Sequence, residues 1–81
     1  MNCNTRIRDL RNGSKLSQKA IAAKINVAQT TYSDYETGKV RVPLQNLVAL
    51  AKFYNVDMNF ISGVSDQRKP FPKERSARAV G

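Results

Sequence analysis

The chain has 81 residues, of which 41% are hydrophobic, so it fits one small folded domain and is unlike a wholly disordered segment. Fourteen Lys and Arg side chains against six Asp and Glu give a net charge of +8, which favours a polyanionic partner such as nucleic acid. Cys3 is the single cysteine and histidine is absent, which excludes an intrachain disulfide and a Cys/His zinc site.

Two short helices are predicted at the start of the chain. Residues 4–12 carry Ile7 and Leu10 at i, i+3 spacing and are followed by a Gly-Ser turn. Ser17 is a favourable N-cap for the second helix, which we expect over residues 18–25.

A third helix is predicted over residues 29–37. Asn26 precedes it and tolerates the left-handed conformation in which the second helix can end. Tyr32 and Tyr35 are spaced i, i+3, which places both on the inner face of the third helix. Gly38 follows the last residue of this helix, where a left-handed glycine is favoured.

Two further helices follow a basic loop, residues 39–42. The fourth helix is predicted over residues 43–54, with Pro43 at the first helical position. Its apolar stripe is the widest in the chain, so we expect this helix to form the main wall of the core. Asp57 is predicted to cap a last short helix over residues 58–62.

The folded domain is predicted to end near residue 64. Residues 65–81 contain two prolines, five basic residues and little apolar content, which is typical of a tail and not of a folded element. The tail is interpreted as a frayed end, with a basic arm that binds phosphate or a partner-binding segment as alternatives. We therefore predict an all-α bundle of five helices in residues 1–64 and a basic, Pro-containing tail in residues 65–81.

The second and third helices are joined by a link of about three residues, which is the layout of a helix-turn-helix. The second helix of such a pair enters the major groove of DNA. Gln suits the edge of adenine, Thr suits thymine, and Asp can accept from cytosine. A polar face that is merely solvated is the simpler alternative. The residues predicted to face outward and read bases are Gln29, Thr30, Ser33 and Asp34.

Polar and basic residues on either side of this helix suit DNA phosphates. Gln18 starts the second helix, where free N–H groups and the helix dipole favour an anion. Lys39 and Arg41 follow the third helix, and Lys19 is a further candidate. Phosphate contacts set register and affinity but carry no sequence information.

Five motifs occur together along the chain: Leu16-Ser17-Gln18, Ile21-Ala22, Val27, Tyr35-Glu36-Thr37-Gly38-Lys39 and Leu47 with Leu50-Ala51. In combination these motifs resemble the lambda-repressor-like helix-turn-helix family, also called the XRE family. The resemblance runs from about Arg6 to Ile61 and implies a five-helix domain that binds operator DNA. It further implies a homodimer on a palindromic or near-palindromic site. By position it also implies that Arg11 and Glu36 form a structural ion pair.

Three features depart from the family pattern. Ala28 stands where a Ser or Thr usually caps the recognition helix. The glycine of the first turn is Gly13, whereas the family has it just before the Leu16 position. Tyr32 and Tyr35 replace aliphatic residues, so their hydroxyls need polar partners.

A dimer surface is predicted from the apolar residues near the end of the fourth helix and beyond. Dimerisation of a helix-turn-helix protein places two recognition helices about one turn of DNA apart. The candidate residues are Phe53, Val56, Met58 and Phe60.

Other function classes have less support. The chain lacks histidine, a Gly-rich phosphate loop and a carboxylate pair at an evident cleft, so we predict no enzyme, metal, cofactor or small-molecule substrate. Neither a signal peptide nor an apolar run of about 18 residues is present, so we expect a cytoplasmic protein without membrane contact. We predict a sequence-specific transcriptional regulator, a repressor, with a protein-interaction module such as an antitoxin or anti-repressor as the alternative.

Overall fold

The computed structural model describes residues 2–73 and contains five α-helices, with no strand among these residues. The predicted all-α class and the five-helix order are confirmed. The predicted tail beyond residue 73 lies outside the described residues. The helices are α1 (Cys3–Gly13), α2 (Gln18–Lys24), α3 (Gln29–Thr37), α4 (Leu44–Tyr54) and α5 (Met58–Ile61).

Each helix contributes at least one fully buried side chain to a common core. The relative exposure of these side chains is 0% in every case. Burying a large apolar side chain stabilises the fold by about 1.5–3 kcal/mol, and helices this short are unstable alone. The core therefore decides where each helix lies: α1 packs against α3 and α5, α2 against α3, and α4 against α5. The five side chains are Ile7, Ile21, Tyr32, Leu50 and Ile61.

Local signals fix several helix ends as the sequence predicts. Ser17 and Asp57 act as N-caps, and each side chain accepts a hydrogen bond from the backbone N–H three residues further on. Asn26 (φ 63°) and Gly38 (φ 83°) adopt the left-handed conformation after α2 and α3. These four predictions are confirmed.

Other helix boundaries differ from the prediction. Pro43 is the N-cap of α4 and not its first helical residue, because its ψ of 149° is extended. The first helix is longer by one residue at each end, whereas α2 and α5 each end one residue early. Such differences arise because the sequence pattern does not mark the last turn of a helix.

The turn between α1 and α2 explains one departure from the family pattern. Lys15 has a φ of 59°, a left-handed conformation that costs a non-glycine residue about 1–2 kcal/mol. This is the position just before Leu16 where the family has glycine. Gly13 instead lies within α1, where an added Cβ would meet no atom within 4 Å. The glycine is therefore displaced from the position that requires its conformational freedom.

The interpretation of residues 65 onward as a tail and not a folded element is wrong for residues 65–73, which we call the strap. The strap is not helical, but Asp66 pairs with Arg6 at 2.8 Å. Phe71 is half-buried and packs against the core. These contacts join residues up to 60 positions apart, so local composition does not reveal them.

One predicted dimer-surface residue is also wrong. Val56 is 0% exposed and belongs to the core, so it is inaccessible to a second copy. Met58 and Phe60 are half-buried, whereas Phe53 is 42% exposed. Of the four candidates, only Phe53 keeps a large part of its side chain in solvent.

The uncapped start of α3 gives a testable prediction. Ala28 is exposed, has the extended backbone of an N-cap (φ −68°, ψ 149°) and supplies no side-chain hydrogen bond. Ala28→Ser should raise the free energy of unfolding by about 1 kcal/mol in urea denaturation, because the hydroxyl can accept from the first turn of α3. The control is Ala23→Ser, which places the same side chain inside α2 and should destabilise slightly. Equal effects at the two positions would contradict the capping account.

Candidate nucleic-acid interface

The α2–α3 pair has the geometry of a helix-turn-helix. After α2 ends, the left-handed Asn26 reverses the chain, and the N–H of Val27 donates to the carbonyl of Ala22 at 3.0 Å. Val27 packs against the core and anchors the link between the two helices. As a result α3 starts immediately after the turn, with its inner side on the core and its outer side free of other helices of residues 2–73.

The four predicted base-reading residues lie along one side of α3. Gln29 and Thr30 are exposed, and Ser33 and Asp34 are half-buried. Positions i, i+1, i+4 and i+5 share one face of a helix, so the structure places the four side chains in one stripe. This stripe is chemically able to donate to and accept from the edges of bases.

The opposite side of α3 belongs to the core, as the tyrosine spacing predicts. Tyr32 and Tyr35 are 0% and 3% exposed, and their rings meet edge to face with centroids 6.2 Å apart. Burial, followed by the neighbouring Glu36 carboxylate, raises the pKa of Tyr32, so its hydroxyl stays protonated. The inner side of α3 therefore carries no charge on Tyr32.

A buried carboxylate fixes α3 against α1 and α2. The predicted ion pair is present: Nε and Nη2 of Arg11 donate to Oε2 and Oε1 of Glu36 at 2.6 and 3.0 Å. Nε2 of Gln18 donates to Glu36 Oε1 at 3.0 Å. Arg11 Nη1 also donates to the carbonyl of Leu16 at 2.9 Å, which links the turn between α1 and α2 to the guanidinium that binds Glu36. We call Arg11, Gln18 and Glu36 the Glu36 cluster.

The ionisation of Glu36 follows from these contacts. Glu36 is 5% exposed, and burial alone would raise the pKa of its carboxyl. The hydrogen bonds and positive charge of Arg11, together with the neighbouring Tyr32 hydroxyl and the Gln18 amide, outweigh burial and lower the pKa below its ordinary value of 4.5. Glu36 is therefore a permanent acceptor at neutral pH.

The predicted phosphate-binding residues lie on both sides of the α3 stripe. Gln18 is half-buried at the start of α2, and its amide nitrogen gives one of two hydrogens to Glu36. The second hydrogen can be donated to an anion. Lys19, Lys39 and Arg41 are exposed, the first beside Gln18 and the other two in the loop after α3.

Two asparagines, Asn4 and Asn46, hold α3 through hydrogen bonds to Tyr35, and neither was predicted from the sequence. We call these two residues the asparagine clamp. Asn4 on α1 donates to the carbonyl of Tyr35 at 2.7 Å, and Asn46 on α4 donates to the Tyr35 hydroxyl at 2.9 Å. A buried tyrosine in the sequence predicts that its hydroxyl has a hydrogen-bond partner, but it does not identify the residue that supplies this partner. An added Cβ at Gly38 would lie 3.5 Å from Asn4 Oδ1, an ordinary contact, so the left-handed φ of 83° and not a lack of space favours glycine there.

Residues 2–73 contain neither a metal-binding cluster nor a membrane-spanning helix. No group of three or more His, Cys, Asp or Glu in this range is placed to hold a metal ion. Within the same range, every helix is too short or too polar to cross a lipid bilayer. Burial raises the pKa of the Cys3 thiol, which disfavours the reactive thiolate.

The lowered pKa of Glu36 predicts an acid-dependent loss of stability. A group whose pKa is lower in the folded state stabilises the fold above its unfolded pKa, and this contribution disappears as pH falls below about 4.5. Glu36→Gln should lower the melting temperature at pH 7 and flatten its dependence on pH between 5 and 3, roughly the range of carboxyl titration. The measurement is thermal unfolding by circular dichroism across that pH range. Parallel curves for the two proteins would show that Glu36 is not preferentially ionised in the folded state.

Comparisons of sequence place these residues among known proteins. The model of the Helix-turn-helix family matches residues 7–61. An uncharacterized HTH-type transcriptional regulator of Bacillus subtilis, YobD, is 38% identical over 65 residues, which cover 80% of this chain and 58% of YobD. The cryptic phage CTXphi transcriptional repressor RstR of Vibrio cholerae is 42% identical over 52 residues, which cover 64% of this chain and 47% of RstR. The chain thus spans about half the length of these two relatives, 58% of YobD and 47% of RstR.

A third relative is named as an activator, in contrast to the repressor RstR. The HTH-type transcriptional activator BcrR of Enterococcus faecalis is 30% identical over 59 residues. These cover 73% of this chain and 29% of BcrR. The shared segment therefore occurs in one protein named as a repressor and in one named as an activator.

Comparisons of structure agree on the fold. The P22 c2 repressor in complex with synthetic operator 9T matches with a TM-score of 0.69 and 24% identity, over 75% of this chain and 92% of the repressor chain. A transcriptional regulator from Listeria innocua matches with a TM-score of 0.74 and 18% identity, over 98% of this chain and 71% of the other. At these identities the likeness establishes the fold alone.

Proposed function

Because the chain belongs to the lambda-repressor-like helix-turn-helix family, we propose that it is a sequence-specific DNA-binding regulator of transcription. The observation that carries this proposal is the outer stripe of α3, which is polar and held rigidly by the Glu36 cluster and the two asparagines. A preorganised helix loses little conformational freedom on binding, which favours affinity. The net charge of +8 supplies the attraction for a polyanion.

In the proposed complex α3 lies in the major groove. Gln29 and Thr30 are exposed in its first turn, and N-terminal residues of a recognition helix contact base edges. Ser33 and Asp34, one turn later, reach the next base pairs. Each well-formed bidentate contact discriminates against a wrong base by about 1–3 kcal/mol.

Phosphate contacts on the two sides of the groove set the register of α3. Gln18 and Lys19 would bind the backbone on the α2 side, and Lys39 and Arg41 would bind it beyond the end of α3. The Thr37 hydroxyl donates to the carbonyl of Asp34 at 3.2 Å and accepts from the N–H of Lys39 at 3.4 Å. These bonds give the basic loop a defined start next to the recognition helix.

A homodimer on a palindromic or near-palindromic operator is part of the proposal. The exposed Phe53, near the end of α4, is the accessible member of the predicted dimer surface. Repression is the regulatory outcome that needs least from the protein, because occupying an operator suffices to exclude other proteins. The repressor name of RstR supports this direction.

Selection of duplexes from a random DNA pool tests the proposal. We expect enrichment of a symmetric pair of half-sites whose centres lie about one helical turn apart. The affinity should fall steeply with salt, by roughly 0.9 log units per log unit of salt for each phosphate neutralised. A pool without any enriched sequence would reject DNA reading and leave the protein-interaction role, such as an antitoxin or anti-repressor.

Two variants separate the roles of α3 and the loop. Gln29→Ala should relax the preference at one base pair, because it removes a base contact. Lys39→Ala should weaken all sequences alike and reduce the salt slope by about 1, because it removes a phosphate contact. Both are measured by fluorescence anisotropy on the selected duplex and on its single-base variants. An unchanged base preference in Gln29→Ala would show that α3 is not in the proposed register.

A further inference from the structure

The strap lies outside the family-matched residues 7–61, yet it contacts the bundle at both of its ends. We propose that the strap is a positioning element for the recognition helix: it fixes α1 through Arg6, and α1 in turn fixes α3. The proposal rests on the DNA-binding function given above. It assigns a role in DNA binding to Arg6, Asp66 and Phe71, none of which faces the α3 stripe.

The first end of the strap is held by a buried guanidinium. Arg6 is 4% exposed, and its Nη2 donates to Asp66 Oδ1 at 2.8 Å. Its Nη1 donates to the carbonyls of Phe60 at 2.9 Å and Ser65 at 3.2 Å. The guanidinium carbon also lies 3.8 Å from the centre of the Phe60 ring. One side chain of α1 thus binds α5 and the strap together.

The second end of the strap pairs with the corner between α4 and α5. The N–H of Asp57 donates to the carbonyl of Lys69 at 2.8 Å, and the N–H of Phe71 donates to Asn55 Oδ1 at 3.2 Å. The residue numbers rise on one side as they fall on the other, so the strap runs antiparallel to residues 55–57. Phe71 packs its ring against the core, with Lys52 Nζ 5.7 Å from the ring centre.

The contacts of α1 connect this end of the molecule to α3. Asn4 holds the carbonyl of Tyr35, and Arg11 holds Glu36. Arg6 lies between these two residues on the same helix, and α1 packs against both α3 and α5. Any shift of α1 at Arg6 therefore displaces the groups that hold α3.

An exposed ion pair alone would not support this role. The Asp66 side chain is 89% exposed, and surface pairs contribute little. The Arg6 side chain is only 5% exposed, so removing its carboxylate partner leaves a buried cation less well compensated. The expected response is a rearrangement around Arg6, which α1 transmits to α3.

The sign of a charge change makes the first test sharp. Asp66→Asn raises the net charge by one, so electrostatics alone predicts tighter DNA binding. The proposal predicts the reverse: binding of the selected duplex weakens about three- to tenfold, equally for all sequences. Asp9→Asn is the matched control, since Asp9 is an exposed acid of α1 and the charge change is the same. Asp66→Glu, which keeps the carboxylate, should restore most of the affinity.

Phe71→Ser tests the other end of the strap without changing charge, with the exposed Val64→Ser as its control. Affinities are measured at a temperature where circular dichroism shows every variant fully folded, so that lost stability alone cannot lower them. Amide hydrogen exchange should accelerate at Asp57, which reports the strap, and at residues of α3. The Val64 variant should leave both the exchange and the affinity unchanged.

The outcomes separate this proposal from the DNA-binding function. Wild-type affinity in Asp66→Asn and Phe71→Ser, or faster exchange at Asp57 without a change in α3, would overturn the positioning role and leave the strap purely structural. If the wild-type chain binds no DNA sequence, the proposed function fails. In that case the hydrogen-exchange rates of the α3 amides still show whether the strap positions this helix.

Discussion

The carboxylate of Glu36 is the group on which the arrangement of the first three helices depends. A buried charge costs several kcal/mol unless it is paired and hydrogen-bonded. Glu36 meets this requirement with donors from two other helices, Arg11 on α1 and Gln18 on α2. Apolar side chains can pack in several ways, but two-point binding of a guanidinium to a carboxylate requires a nearly coplanar arrangement of the two groups. The Glu36 cluster therefore favours one orientation of α3 among those that the core would allow.

The recognition surface is a consequence of that orientation. The inner residues of α3 pack in the core or form hydrogen bonds with the Glu36 cluster and the asparagine clamp. The short polar side chains of the outer stripe are not needed for these contacts. Stability and the proposed sequence reading are thus assigned to opposite sides of one nine-residue helix. This separation would allow the four outer residues to change without loss of the fold.

Features set by neighbours along the chain were predictable from the sequence. The caps at Ser17 and Asp57, the left-handed Asn26 and Gly38 and the inward tyrosines all follow from local chemistry. The Arg11–Glu36 pair came from the family resemblance, because two charges 25 residues apart have no local signature. Contacts between distant residues explain what was missed.

The missed contacts share a physical cause. In the sequence nothing distinguishes Asn4 and Asn46 from other polar residues, because their contacts with Tyr35 form only in the folded chain. Asp66 stands in a segment whose composition is that of a solvated tail, and only the position of Arg6 gives its carboxylate a partner. The base-reading and phosphate-binding assignments stay predictions, since the structure shows where these side chains lie but holds no DNA.

A double-mutant cycle on the Glu36 cluster tests the central claim most directly. Arg11→Met and Glu36→Leu, alone and combined, are compared by urea denaturation at pH 7. We predict that Arg11→Met lowers the free energy of unfolding by about 3 kcal/mol or more, because it leaves the buried Glu36 carboxylate without its cation. Glu36→Leu should cost less, because the Arg11 side chain is 15% exposed and keeps some contact with water. The double variant should lose far less than the sum, because neither charge remains. Additive losses would contradict the account, since they would mean that the two side chains stabilise the fold independently of each other.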